Sequence, residues 1–300
     1  MLIPFVDAHV NLWELGNKRF SWLMPPFGEG PADPLEAAAV NFALDAYLAA
    51  AKNWNVRGVV DIDDYAHPDD ALTEAHWLRT VADERGLPDG IVAFAALNDP
   101  NVEHLLSQYA AHKSIRGVRH VVAWHPDPSR TFLQRDVTGD ADWQAGFGLL
   151  EKYNFSFDCQ VYPSQISNIT TLIDRYPRIP VILNHLGMPV LADTDGETIW
   201  REGLQELAAR PNTYIKISGL RYIRRPWKRE NIRSYIRTAI EIFGPGRCLF
   251  GSDFPIDKVF ASFNAHMDAY HSIVSDLSEE GRRDMFGRNA NSVYRLGVTL

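Results

Sequence analysis

Eight short runs rich in β-branched residues recur along the 300-residue chain and alternate with longer segments of helical periodicity. The predicted strands are residues 3–10, 57–62, 90–96, 115–122, 155–161, 179–184, 213–218 and 247–251. Apolar residues three or four positions apart predict helices over residues 70–85, 102–111, 165–175, 198–209 and 231–243. Repeated strand–helix units of this kind are typical of a parallel sheet covered by helices.

The number of units and the chain length favour an α/β fold of the (β/α)8 TIM barrel type, a single domain over residues 1–300. The main alternative is a doubly wound open sheet, but no Gly-x-Gly-x-x-Gly motif follows the first predicted strand. No interior segment has the composition of a linker between domains. In such a barrel the C-terminal ends of the strands face the catalytic mouth.

The charge balance excludes some partners. Lysine and arginine number 30 against 38 aspartates and glutamates, so the formal net charge is −8. A field of that sign repels nucleic acid and anionic lipid, and we expect neither as a general partner. We find no signal peptide and no apolar stretch approaching the ~20 residues of a membrane span. Cys159 and Cys248 lie in apolar runs and are expected to be buried, reduced thiols. These features predict a soluble cytoplasmic protein and leave its oligomeric state open.

Polar side chains are concentrated where the predicted strands end. These residues are His9, Asn11, Asp61, Asp63, Asp64, Arg119, His120, Gln160, Tyr162, His185, Lys216, Ser218 and Asp253. Burying an unpaired polar group costs on the order of 1–3 kcal/mol. So many polar groups on otherwise apolar strands therefore indicate a functional site at the mouth.

Several strand ends carry motifs that occur together in one family. The first strand has Asp-Ala-His-Val-Asn at 7–11, and later strands end in Leu-Asn-His-Leu-Gly at 183–187 and Gly-Ser-Asp-Phe-Pro at 251–255. With Lys-Ile-Ser-Gly-Leu at 216–220 and the segment 286–296, the sequence resembles the amidohydrolase superfamily over nearly its whole length. The closest resemblance is to the amidohydrolase 2 branch, which contains sugar-acid lactonases and pyrone dicarboxylate lactonase. The resemblance implies attack of an activated water on a carbonyl carbon.

Three residues are the catalytic candidates. Asp253, in a turn after the eighth strand, is expected to act as the general base that takes a proton from water. His185 is expected to stabilise the oxyanion that forms on the carbonyl oxygen. His9 is expected to polarise the carbonyl, orient the water or bind a metal. The alternative structural roles are a loop-capping aspartate and core histidines held by backbone carbonyls.

The resemblance implies a divalent metal in some members, and here the motif departs from theirs. Metal-binding relatives have a second histidine on strand 1, where this chain has Asn11, and the fifth strand carries Gln160 and no histidine. A zinc site needs three or more converging ligands, and the remaining candidates are His9, His185 and Asp253. We therefore expect no cofactor, with one divalent metal such as zinc on those three residues as the alternative.

The remaining polar groups around the mouth are candidates for substrate binding. They are Asn11, Trp13, Arg119, Gln160, Lys216, Arg221 and Arg224. Trp13 begins a long aromatic-rich loop, residues 13–34, that we expect to cover the pocket. Residues 221–233 hold six basic residues and one acidic residue, at a place where such barrels bind anions. This basic segment favours an anionic substrate, such as a lactone bearing a carboxylate, and a solvated helix start is the alternative.

Taken together, these features predict a hydrolase that opens a small-molecule lactone. Asp253 takes a proton from water, and His9, His185 and Arg119 stabilise the oxyanion. Two alternatives stay open. One is a zinc-dependent decarboxylase of an aromatic acid, which the resemblance also allows. The other is a lactone isomerase, in which a hydroxyl of the substrate replaces water.

Overall fold

The computed structural model describes residues 2–16, 23, 36–64 and 67–300. Within these ranges eight parallel strands form one sheet, and their order in the sheet follows the chain. The strands are β1 (Phe5–Val10), β2 (Val56–Ile62), β3 (Gly90–Phe94), β4 (Ile115–Arg119), β5 (Ser156–Cys159), β6 (Val181–Leu183), β7 (Thr213–Ile217) and β8 (Cys248–Phe250). The predicted single-domain TIM barrel is confirmed. The strands β3 to β8 end one to three residues earlier than predicted.

The ring closes between β1 and the segment that follows β8. Val10 and Phe254 form a parallel bridge. The backbone N–H of Asn11 donates to the carbonyl of Phe254, and that of Asp253 donates to the carbonyl of His9, each at 2.8 Å. The hydrogen bonds that close the barrel therefore also place Asp253 beside His9.

Helices surround the barrel. They are α1 (Leu44–Ala51), α2 (Ala71–Arg85), α3 (Val102–Ala110), α4 (Ala141–Tyr153), α5 (Ile166–Arg175), α6 (Gly196–Ala208), α7 (Arg229–Phe243), α8 (Phe263–Ile273), α9 (Glu279–Arg283) and α10 (Asn289–Val293). The five predicted helices correspond to α2, α3, α5, α6 and α7 within two residues at each end. In α7 the buried residues Ile232, Ile236, Ile240 and Phe243 recur every three or four positions, which places one apolar stripe against the barrel. No described helix has the length and apolar character needed to cross a membrane.

The barrel interior has two layers. Near the N-terminal ends of the strands it is filled by apolar side chains, among them Val6, Val60, Val92, Ile182 and Leu249. Tyr294, just after α10, closes this end and is fully buried. Above this apolar layer lie the charged and polar side chains that lead to the mouth. Both cysteines are buried free thiols, as predicted.

His120 follows β4 and faces the helices, on the side opposite to Arg119. Its Nδ1 accepts hydrogen bonds from the backbone N–H of Leu97 and from the indole N–H of Trp143, each at 3.2 Å. Burial lowers the pKa of His120 to about 4, because the charged imidazolium would be poorly solvated there.

We predict that His120→Gln flattens the pH dependence of stability between pH 6.5 and 4. In the wild type the unfolded chain binds the proton more readily than the folded one. The free energy of unfolding therefore falls as the pH drops through this window, by up to about 3 kcal/mol. Glutamine keeps an acceptor but does not titrate. Urea denaturation of both proteins at several pH values measures the difference, and parallel curves would contradict the prediction.

Candidate active site

An irregularity in β1 turns His9 toward the barrel interior. The pairing of β1 with β2 shifts register in the second half of the strand, as a β-bulge does. Ala8 packs among the residues of the barrel interior, and the side chain of His9, the next residue, is on the same side. Its ring centre is 4.7 Å from that of His185, and its Nε2 is 3.4 Å from Oδ1 of Asp253. Regular alternation would have turned His9 away from them.

His185 follows β6 in a tight backbone turn with φ of 53°. Its Nδ1 lies 3.1 Å from Oγ of Ser218. Gly219, at φ of 59°, passes so close to the imidazole that a Cβ there would overlap the ring. Burial, and then the positive charge of Arg221, holds the pKa of His185 well below its usual range. A positive charge on this imidazole is therefore disfavoured.

Asp253 follows β8, also with a positive φ of 56°. One of its oxygens pairs with Arg221, which donates as well to Oδ1 of Asp257 at 2.9 Å. The other oxygen, Oδ1, is buried and has no hydrogen-bond donor among the described residues. Burial raises the pKa of Asp253 to about 6, although the charge of Arg221 opposes the shift. This carboxylate is therefore a stronger base than a solvated aspartate.

His9, His185 and Asp253 converge on one point. One ligand atom from each lies within 4.8 Å of the others, and all three residues are buried. Nε2 of His9 and Oδ1 of Asp253 have no hydrogen-bond partner in the described ranges. Two imidazole nitrogens and a carboxylate oxygen form a ligand set that suits zinc with one position open. In number and type, the three residues therefore fit one divalent ion.

Lys216 lies beneath His9. It is fully buried, its ammonium pairs with Asp158, and its Nζ is 3.4 Å from Nδ1 of His9. Asp158 in turn accepts a hydrogen bond from the hydroxyl of Tyr294 at 2.9 Å. Burial lowers the pKa of Lys216 to about 8, although Asp158 opposes the shift. Lys216 was expected to bind substrate, but the structure places its ammonium against Asp158 and His9.

Three more predicted substrate residues form the wall of the site. The Asn11 amide donates to two backbone carbonyls at the end of β2, at 2.7 and 3.3 Å, and its oxygen has no hydrogen-bond partner in the described chain. Arg119 points inward, pairs with Asp63 at 3.0 Å and donates to Gln160 at 3.3 Å. Gln160 also approaches the Met188 sulfur at 3.7 Å. The donors of Asn11 and Arg119 are thus largely engaged within the protein.

A cavity of about 390 Å³ opens beside these groups. Its lining is Ser129, Arg130, Tyr162, Met188, Pro189, Val190, Arg221, Tyr222, Ile223, Arg224 and Arg225. Arg221 and Tyr222 connect it to the catalytic cluster, because Arg221 binds Asp253 and the ring of Tyr222 lies 5.2 Å from that of His185. Arg224 is exposed and has no ion-pair partner in the described part of the chain. The predicted residues Arg221 and Arg224 therefore lie at one cavity.

Trp13 is a core residue, which corrects the predicted substrate contact. Its side chain is fully buried. Its indole N–H donates to the carbonyl of Val40 at 2.7 Å, and its backbone pairs with Phe42. Most of the aromatic-rich loop expected to cover the pocket, residues 17–22 and 24–35, lies outside the described residues.

Sequence analysis missed three buried polar residues near the site. Asp158 binds the ammonium beneath His9, and Asp257 shares Arg221 with Asp253. Asn184 is fully buried, and neither atom of its amide has a hydrogen-bond partner in the described ranges. The signal for Asp158 was its spacing of two residues from Gln160, which puts both on the inward face of β5.

The fold and the site define a TIM-barrel enzyme with a histidine–aspartate centre at its mouth. The sequence profile of the amidohydrolase family matches residues 6–296. The chain belongs to the amidohydrolase family. The predicted family and the predicted class of enzyme, a hydrolase, are thereby confirmed.

Individual relatives cover nearly the whole chain. An uncharacterized protein of Sinorhizobium fredii is 35% identical over 98% of this chain and 99% of its own length. An L-fucono-1,5-lactonase of Burkholderia multivorans is 26% identical, covering 97% of this chain and 96% of the relative. A crystal structure of a Burkholderia multivorans amidohydrolase with bound zinc superposes with a TM-score of 0.81 at 23% identity, over 98% and 99% of the two chains. At that identity the structural likeness supports the fold.

We predict that Gly219→Ala displaces the ring of His185 and that Gly86→Ala does not. Both glycines are in the left-handed region, with φ of 59° and 75°, so each alanine adds backbone strain of about 1–2 kcal/mol. The space around Gly86 is open, whereas a Cβ on Gly219 would overlap His185. Overpacking adds roughly 1–3 kcal/mol. Unfolding free energies and crystal structures of both variants provide the measurement. An unmoved His185 in Gly219→Ala would refute the prediction.

Proposed function

We propose that this chain hydrolyses a lactone, with Asp253 as the general base that activates water. The observation that carries the proposal is the Asp253 carboxylate. Arg221 holds one oxygen, while Oδ1 is buried, lies 3.4 Å from Nε2 of His9 and has no donor among the described residues. A buried, oriented and unshared carboxylate oxygen beside two imidazoles is suited to accept a proton from water.

The proposed reaction begins when a water proton passes to Oδ1 of Asp253 and the water oxygen attacks the lactone carbonyl carbon. The oxyanion forms beside His9 and His185, whose N–H groups stabilise it. The ring C–O bond then breaks, and the leaving alkoxide takes the proton from Asp253. The product is a hydroxy acid, which releases one proton to solvent at neutral pH. Arg221 keeps Asp253 oriented throughout.

The relatives support the lactone as substrate class. The L-fucono-1,5-lactonase named above and an L-rhamnono-gamma-lactonase of Scheffersomyces stipitis, 21% identical, each cover 97% of this chain. We infer a sugar-acid or carboxylated lactone. A panel of such lactones, assayed by proton release with a pH indicator, tests the proposal. A lactone isomerase would release no proton, and failure of every lactone in the panel would count against hydrolysis.

The mouth cavity supports an anionic substituent on the lactone. Four arginines line it, namely Arg130, Arg221, Arg224 and Arg225, and no acidic side chain is among its described lining residues. Asp127 pairs with Arg130 at 3.2 Å, and Asp253 pairs with Arg221. Arg224 is exposed and makes no ion pair with any described residue. The described lining is therefore richer in basic than in acidic side chains, in a protein whose formal net charge is −8.

We further propose that the reaction proceeds without a metal. A divalent ion on His9, His185 and Asp253 would supply Lewis-acid activation of water. The contact between the Lys216 ammonium and Nδ1 of His9, at 3.4 Å, supports the metal-free form, because a cation directly behind a ligand repels a second cation. The zinc-dependent decarboxylase alternative requires that ion.

We predict that Asp253→Asn lowers kcat for the lactone by about 10²–10⁴, because asparagine cannot take the water proton. The amide keeps the size of the side chain, so the circular dichroism spectrum should match that of the wild type. Steady-state proton release measures kcat. A variant that keeps most of its turnover would remove Asp253 from the mechanism.

We predict that turnover survives prolonged treatment with a strong chelator. Elemental analysis of the treated protein provides the control, since it must show that any metal has been removed. Loss of activity that zinc or manganese restores would overturn the metal-free proposal.

We predict that salt lowers kcat/KM for a carboxylated lactone but hardly affects a neutral lactone with the same ring. Raising the ionic strength from 0.1 M to 1 M shortens the Debye length from about 10 Å to about 3 Å. The double variant Arg224→Gln/Arg225→Gln should flatten this dependence, mainly through KM.

The matched control is Arg229→Gln/Arg233→Gln. It changes the net charge by the same amount, but both residues are exposed on α7 and do not line the cavity. It should keep the salt dependence of the wild type. Equal salt dependence for the charged and neutral lactones would contradict a role of Arg224 and Arg225 in binding the substrate.

A further inference from the structure

We propose that Lys216 is a positioning residue that fixes the proton of His9 on Nε2. In this role Nε2 of His9 presents an N–H group to the reacting atoms, and His9 is a poor ligand for a metal. The proposal concerns the chain's own residues and holds whether or not a lactone is the substrate.

The first step is the rigid placement of the Lys216 ammonium. Lys216, Asp158 and Tyr294 are all fully buried. Asp158 pairs with the ammonium and accepts the Tyr294 hydroxyl at 2.9 Å, while the ammonium lies 5.3 Å from the centre of the Tyr294 ring. These contacts hold Nζ at 3.4 Å from Nδ1 of His9.

The second step is the tautomer of His9. An ammonium group has three N–H donors and no acceptor, so Nδ1 must accept the hydrogen bond from Lys216. A neutral imidazole carries its single proton on the other nitrogen, Nε2. Nε2 lies 3.4 Å from the unshared Oδ1 of Asp253, which is an acceptor. Both neighbours of His9 therefore favour the same tautomer.

The third step is the consequence for a metal. Ligation through Nε2 would move the proton of His9 to Nδ1. The Nδ1–H group would then face the N–H groups of the Lys216 ammonium, and neither side could accept a hydrogen bond. Metal-ligating histidines almost always have an acceptor behind them, a carboxylate, a carbonyl or a water. Lys216 instead places a hydrogen-bond donor behind His9. The three converging side chains have the shape of a metal site, but the group behind His9 opposes its use.

The tautomer can be measured directly in the wild-type protein. Long-range ¹H–¹⁵N spectra of ¹⁵N-histidine-labelled protein distinguish protonated from unprotonated ring nitrogens, and the His9→Gln variant assigns the resonance among the ten histidines. We expect an unprotonated Nδ1 and a protonated Nε2 on His9. A protonated Nδ1 would overturn the proposal, and the measurement leaves Lys216, Asp158 and Tyr294 unchanged.

Metal affinity provides the second test. The double variant Asp158→Asn/Lys216→Met removes one positive and one negative charge together, so the local net charge is unchanged. We expect it to bind Co²⁺, followed by its visible absorption spectrum, at least tenfold more tightly than the wild type. Tyr294→Phe is the control, because it removes a contact to Asp158 and leaves Lys216 beside His9. It should keep the wild-type spectrum and affinity.

Three outcomes decide the matter. Tight Co²⁺ binding by the double variant alone supports the proposal. Equal affinity of the double variant and the wild type contradicts it. If the double variant fails to fold, the wild-type tautomer decides alone. None of these readouts depends on turnover, so a failed lactone panel and a failed tautomer measurement remain distinguishable.

Discussion

Closure of the barrel is the constraint on which the rest of the molecule depends. The backbone N–H of Asp253 bonds to the carbonyl of His9, and the next hydrogen bond joins Asn11 to Phe254. A closed sheet has no unpaired edge, so these bonds complete the fold. They also set the distance between the proposed base and its neighbouring imidazole. Formation of the barrel and assembly of the site are thus a single structural event.

A line of buried charges continues from this junction in both directions. Below His9 it runs through Lys216 and Asp158 to the hydroxyl of Tyr294. Beyond Asp253 it runs through Arg221 to Asp257 and the imidazole of His266, which lies 3.5 Å from that carboxylate. Every charged group along this line has a neighbour of opposite charge or a polar neighbour. Removing one member leaves its partner charged and dry, which typically costs about 3–5 kcal/mol. Such a network holds the reacting groups more rigidly than any single contact.

The sequence predicted the barrel well because strand–helix alternation is a property of the whole chain. It also placed His9, His185 and Asp253 at the mouth, since strand ends are recognisable from local pattern. It could not predict how deep in the barrel a side chain lies. Alternation along β7 gives the side of the sheet to which Lys216 points, but not its burial beneath His9. Trp13 was misplaced for a similar reason, because an aromatic residue after a strand can roof a pocket or enter the core. The bulge in β1 leaves no mark in the residue pattern.

The position of Tyr294 has a consequence for how the protein is made. A ribosome releases the chain from its N-terminus, so β1 waits for the segment after β8 before the ring can close. The hydroxyl that completes the pairing of Asp158 arrives later still, 40 residues after Phe254. Until then Asp158 lacks this hydrogen bond, and the lower interior lacks the side chain that closes it. Contacts between the two ends of the chain are also non-local, a feature associated with slow folding.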